Sequence, residues 1–190
     1  MIESSKMTEQ ERCELFTRLV VPHIGSLDCP AMGELFRRYK AFEVPASTKY
    51  HGSCPGGWFD HSLCVMQQLV LLTERNGLEW QRPESPYIVG FFHDICKLDQ
   101  YVKVREDEPG RPVYAWRSDT LFKGHGDKSV LMLASVGASL TEEEVTCIRY
   151  HMGAFIDKEQ WNDYTRAVEK YPNVLWTHTA DMIASHVYMK

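Results

Sequence analysis

The sequence predicts an all-α fold, a helical bundle carrying one small β-hairpin insertion. Three observations predict it. Apolar residues recur at helical spacing over most of the chain. Clusters of Pro and Gly break these stretches into short units. A single turn-like Glu108-Pro109-Gly110 separates two short strand-like segments. At 190 residues the chain fits one compact domain, and nothing in it reads as a repeat, a low-complexity tract or a second domain.

Residues 8–21 read as the first helix, with Leu15, Phe16, Leu19 and Val20 on its apolar side. Residues 31–41 read as the second. Pro45, Pro55 and the Gly56-Gly57 pair make the stretch from Val44 to Gly57 a loop. A long helix runs from about Phe59 to about Arg75 and stops near Asn76-Gly77. His61, Cys64, Val65, Gln68 and Leu72 share one of its faces. Pro83 and Pro86 open the next helix, which carries Tyr87 to Lys97; its centre, Val89-Gly90-Phe91-Phe92-His93-Asp94-Ile95, is apolar enough for a core. Tyr101 to Arg105 and Pro112 to Arg117 form the hairpin arms, and the acidic run Glu106-Asp107-Glu108 lies in solvent. Gly124-His125-Gly126-Asp127 starts a helix that continues through Leu131, Met132 and Leu133. Thr141-Glu142-Glu143-Glu144 is a capping-box pattern; the helix it opens ends at Gly153, with His151 in its last turn. Residues 157–172 are helical, and a final helix over about 174–188 carries Asp181. Trp58, Tyr87, Tyr101, Trp116, Trp161 and Trp176 are expected in the core or on a pocket wall.

The chain is 44% hydrophobic and 25% charged, an ordinary globular composition. Its net charge of -5, with no block of Lys or Arg, argues against an extended nucleic-acid surface but leaves room for a nucleotide in a pocket. No apolar run reaches the length of a membrane span. The start, Met1-Ile2-Glu3-Ser4-Ser5-Lys6, lacks the apolar core of a signal peptide. Cys13, Cys29, Cys54, Cys64, Cys96 and Cys147 form no Cys-x-x-Cys pair, so reduced thiols in a cytoplasmic protein are the expectation.

Of eight histidines, four fall into an ordered set with two aspartates: His61, His93-Asp94, His125, His151 and Asp181. Each group sits on or at the end of a different helix. Helices packed around one axis can aim such side chains into a common pocket. Imidazole nitrogen and carboxylate oxygen suit a divalent Fe, Mn, Zn, Co or Ni ion, one or two of them. In an adjacent His-Asp pair the carboxylate can bridge two metals while the histidine binds one. Two close metals can activate a water and clamp the oxygens of a phosphoryl group. Burying His93-Asp94 between Phe91-Phe92 and Ile95 without partners would cost on the order of a few kcal/mol, which ligation would offset. The same holds for Asp181 between Ala180 and Met182. His125, between two glycines at a helix start, has a solvated alternative, and His151 has one as a C-terminal helix cation. His178, one turn before Asp181, reads as a rim or core residue. His23, His51 and His186 receive no role, and Cys96 reads as a small core residue rather than a nucleophile.

Gly56-Gly57-Trp58-Phe59-Asp60-His61-Ser62-Leu63 resembles the opening motif of the HD-domain superfamily. Phe92-His93-Asp94-Ile95-Cys96-Lys97 resembles its His-Asp-x-x-Lys motif, and Ala180-Asp181-Met182 its closing aspartate. The likeness covers roughly residues 54–188, with 1–53 as an N-terminal helical extension. It implies His61, His93, Asp94 and Asp181 as ligands of one metal. Gly124-His125-Gly126-Asp127-Lys128-Ser129 and Arg149-Tyr150-His151-Met152-Gly153 resemble the two further motifs of HD proteins with two metals, which implies His125 and His151 as ligands. The resemblance implies a metal-dependent hydrolase of phosphate mono- or diesters, acting on a nucleotide or similar small phosphorylated molecule. Asp94 and Lys97 would carry the chemistry, and Lys97 and then Lys128 would contact the phosphate. Lys97 has an alternative use in a salt bridge to a nearby carboxylate. Two other functions fit the same ligand order: a mixed-valence di-iron oxygenase of the HD fold, and a non-catalytic metal-binding sensor.

Overall fold

The computed structural model describes residues 7–120, 122 and 124–189. The Met1–Lys6 start discussed above lies outside them. The chain is mostly helical with a two-stranded antiparallel hairpin. Helix α1 (Glu9–Leu19) opens on a capping box in which Thr8 and Glu11 satisfy each other's backbone amides. Helix α2 (Pro30–Tyr39) follows, with Pro at its start. Phe16 of α1 and Phe36 of α2 pack edge-on at 5.3 Å. They continue into Trp58 and Phe91, so residues 7–53 share the main apolar core.

Helix α3 (Gly57–Asn76) ends on Gly77 in the left-handed conformation. It packs against α4 (Ser85–Phe92) and α8 (Asn173–Ile183). Gly90 permits the α3–α4 contact, because a Cβ there would lie 2.6 Å from Met66 Cα. Helix α5 (His125–Ser135) packs on α6 (Glu142–Tyr150), and α7 (Trp161–Lys170) covers α6 and α8. The α6 capping box forms between Thr141 and Glu144. Glu144 also accepts from Arg82 Nε at 2.7 Å and Ser85 Oγ at 2.8 Å, tying the start of α6 to the start of α4. A single π-helical turn, Ala184–Tyr188, prolongs α8. No helix among the described residues is long and apolar enough to cross a membrane.

Several features differ from the sequence expectation. Helix α6 stops at Tyr150 rather than Gly153, so His151 follows its last turn, and the first hairpin arm continues through Glu106-Asp107-Glu108. The helix expected through Lys97 stops at Phe92, and a 3-10 turn covers Ile95–Asp99. Asp94 leaves helical geometry at φ -108°, ψ 24°, and its carbonyl accepts from Trp58 Nε1 at 2.9 Å. On a continuous helix, successive side chains diverge by about 100°; the break lets His93 and Asp94 face the same space. Trp116 and Trp161 are exposed, at 61% and 47%, rather than in the core or on a pocket wall. The hairpin, β1 (Tyr101–Glu108) with β2 (Arg111–Trp116), is exposed along nearly all of β1 and has no layer to bury Trp116, which rests edge-on against Tyr101. Helix α7 is thinly covered, and among its residues Ala167 is the one fully buried.

Candidate metal centre

The candidate ligand set comes from five separate places in the fold. His61 lies in the second turn of α3, His93 and Asp94 at the break after α4, His125 at the first residue of α5, His151 just beyond α6, and Asp181 on α8. His61, His93, Asp94 and His151 are buried, and His125 and Asp181 are half-buried. The start of α5 can reach the end of α6 because residue 126 is glycine. A Cβ there would lie 1.9 Å from the Arg149 carbonyl oxygen.

The two oxygens of Asp94 face different partners. Oδ2 lies 3.5 Å from His61 Nε2 and 3.4 Å from His93 Nε2. His61 Nε2 is in turn 3.2 Å from His93 Nε2 and 3.2 Å from Asp181 Oδ1. Oδ1 lies 3.4 Å from His151 Nε2 and 3.6 Å from His125 Nδ1. The structure therefore brings all six sequence-predicted ligands together, in two groups joined by one carboxylate.

The spacing fits a cation. Metal bonds of about 2.1 Å put neighbouring ligand atoms about 3.0 Å apart in an octahedron and about 3.4 Å apart in a tetrahedron. The tautomers fit too. His93 Nδ1 donates to the Gly90 carbonyl at 2.9 Å and His151 Nδ1 to the Ile148 carbonyl at 2.7 Å. A carbonyl only accepts, so each Nδ1 carries the proton and each Nε2 presents a lone pair to the centre. Asp94 Oδ1 and His151 Nε2 are buried and have no hydrogen-bond partner among the described residues, a cost that a bound ion would remove. The His61-His93-Asp94, His93-His151-Asp181 and Asp94-Cys96-His125 groups could each hold a metal ion.

Burial opposes charge on every imidazole here, and the carboxylates decide the outcome. His61 and His151 have raised pKa values, because the carboxylates of Asp181 and Asp94 beside the first, and of Asp94 beside the second, outweigh burial. Burial prevails at His93, whose pKa is lowered, and at His125, lowered to about 4. Burial acts to raise the Asp94 pKa, but the charge of Lys97 and the imidazoles hold it well below the usual carboxylate range.

Lys97 is buried, with Nζ 2.6 Å from Asp94 Oδ2, and it also lines the main cavity. Lys128 is buried in an ion pair with Asp99 and is not among the residues lining that cavity. Its pairing docks α5 on the 3-10 turn, as does Ser129 Oγ, which accepts from the Cys96 amide at 3.3 Å. The cavity measures about 1480 Å³ and opens over Asp94, Lys97, His125 and Asp181. Much of its wall is apolar, with Leu63, Met152, Phe155 and Met182. His178 lines it, with Nδ1 donating to the His151 carbonyl at 2.8 Å.

His51 is the residue that sequence reasoning missed. Its ring lies 4.9 Å from that of His61, it lines the cavity, and its Nε2 is buried without a hydrogen-bond partner among the described residues. Burial, then the His61 charge, lower its pKa to about 4. It sits in a loop where no periodicity assigns a direction to a side chain. His186 also lines the cavity, with Ser185 Oγ 2.8 Å from its Nδ1.

Compared with known protein families, curated proteins and solved structures, the chain matches none of them at a significant level.

Proposed function

We propose that the protein is a metal-dependent phosphohydrolase on the plan of the HD-domain superfamily, cleaving a phosphate mono- or diester of a nucleotide or similar small molecule. The observation that carries this reading is the division of the Asp94 oxygens between His61–His93 on one side and His125–His151 on the other. His61, His93, Asp94 and Asp181 would hold one divalent ion, and Asp94, His125 and His151 a second. When bound, such a pair supplies Lewis acidity and a water of lowered pKa.

The chain's own groups do the rest. Lys97 lines the cavity beside Asp94, where its ammonium can meet phosphoryl oxygens without taking a coordination position. Burial disfavours that charge, but Asp94 more than offsets it and keeps the lysine protonated. The apolar wall of Leu63, Met152, Phe155 and Met182 supports an ester with a substantial organic part, held away from bulk water.

The test is metal analysis of protein purified without added metals, followed by a panel of phosphomonoesters and phosphodiesters assayed with and without oxygen. The expected result is bound transition metal and turnover of at least one ester, unchanged by removing oxygen. Activity that requires oxygen and reduced iron would replace this function by a di-iron oxygenase of the same fold. Bound metal with no turnover across the panel would favour the sensor.

A further inference from the structure

We infer that Cys96 is a ligand in the second half of the metal centre, adding sulfur to the donors of Asp94, His125 and His151. The inference rests on the metal-centre reading of the proposed function.

Cys96 is fully buried in the 3-10 turn two residues after Asp94. Its amide donates to Ser129 Oγ, which fixes the turn against α5. Its Sγ lies 3.1 Å from His125 Nδ1, the same nitrogen that faces Asp94 Oδ1. Ligand atoms of Asp94, Cys96 and His125 all lie within 4.8 Å of one another. For zinc, bonds of about 2.3 Å to sulfur and about 2.05 Å to nitrogen put the two atoms about 3.1 Å apart at a right angle and about 3.6 Å apart at the tetrahedral angle. Two buried atoms on the same side of the centre, Asp94 Oδ1 and His151 Nε2, lie 3.4 Å apart and have no hydrogen-bond partner among the described residues.

The histidines differ in a way that brings in the thiol. His93 and His151 each anchor Nδ1 on a backbone carbonyl and turn Nε2 inward. His125 Nδ1 meets the Cys96 thiol instead. Coordination would release the thiol proton to solvent and leave thiolate sulfur and imidazole nitrogen side by side on one ion. Cys54 and Cys64 line the same cavity, yet among the described residues neither joins a metal-holding group. A sulfur donor shifts that position toward zinc or cobalt and away from manganese or magnesium.

The test is titration of the full chain with Co²⁺, following metal stoichiometry and the near-ultraviolet sulfur-to-cobalt charge-transfer band. The expected result is two cobalt ions per chain and a strong band in the wild type and in Cys64→Ser. In Cys96→Ser the band is lost and the second ion binds about tenfold or more weakly, while the first is retained. X-ray absorption of the zinc-loaded wild type needs no variant and is expected to show a sulfur shell at about 2.3 Å. Two bound ions with no band and no sulfur shell, or a band that survives in Cys96→Ser, would overturn the role of Cys96 and leave the proposed function standing. A chain that takes up no cobalt or zinc would remove both.

Discussion

Replacing Asp94 by Asn keeps the shape of the side chain and removes the negative charge that both halves of the centre share. The expected outcome for Asp94→Asn is loss of both ions, each bound more than about a hundredfold more weakly, and loss of turnover. Equilibrium dialysis with metal analysis checks the first, and undiminished turnover at low metal would place the chemistry elsewhere. Lys97 is a different case, because its ion pair with Asp94 and its place on the cavity wall coexist. Lys97→Met is expected to keep its metal while catalytic efficiency falls about tenfold or more, or about 1.4 kcal/mol of transition-state stabilisation. Lost metal in that variant would assign the lysine to holding Asp94. At this scale the convergence of the candidate ligands was legible, because His-Asp inside an apolar run has few other physical uses. His51 was not legible, since a loop histidine carries no direction until the loop is folded over His61. The Lys128–Asp99 pair was hidden too, because it joins residues 29 apart in sequence.

Elements matter through where they touch. Gly126 lets the first turn of α5 rest on the backbone at the end of α6. Gly126→Ala forces those two ends apart, and overpacking of this kind costs about 1–3 kcal/mol. His125 would then move away from His151 and Asp94, while His61, His93 and Asp181 stay in place. The expected outcome is a folded protein that binds one ion instead of two, read by metal stoichiometry; two tightly bound ions would count against the assignment of His125. Helix boundaries were largely legible, since Thr8, Thr141, Gly77 and the prolines state them chemically. The break after Phe92 was not, because it depends on Trp58 taking the Asp94 carbonyl from another helix. The burial of Glu144, a capping residue that also serves Arg82 and Ser85, likewise depends on a partner 62 positions away.

For the molecule as a whole, the centre couples stability to pH. His61 and His151 have raised folded pKa values, so they add stability below the unfolded value of about 6.5 and lose it as pH rises through the folded one. His51, His93 and His125 have lowered values, and their contribution is lost as pH falls from about 6.5 toward the folded value, about 4 for His51 and His125. Together these five contribute most to the stability of the chelator-treated protein near pH 6.5, and less on both sides. A metal held by these histidines would reverse the alkaline limb, because it would bind the deprotonated imidazoles. Melting temperature between pH 6.5 and 8.5 is therefore expected to fall with chelator and to hold or rise with metal. Parallel curves with and without metal would show that the histidines do not hold it.

The solvent-exposed hairpin tip at Pro109-Gly110 has a topological consequence. It divides the chain so that His61, His93 and Asp94 precede it, while His125, His151 and Asp181 follow. Each proposed ion would then draw ligands from both sides of the division. A chain cut at Gly110 would yield two fragments whose reassembly is cemented by metal, a split protein with the ion as its fastener. Co-expressed fragments should copurify in zinc and come apart in chelator, and the tip offers a position for an inserted tag that leaves the ligands untouched.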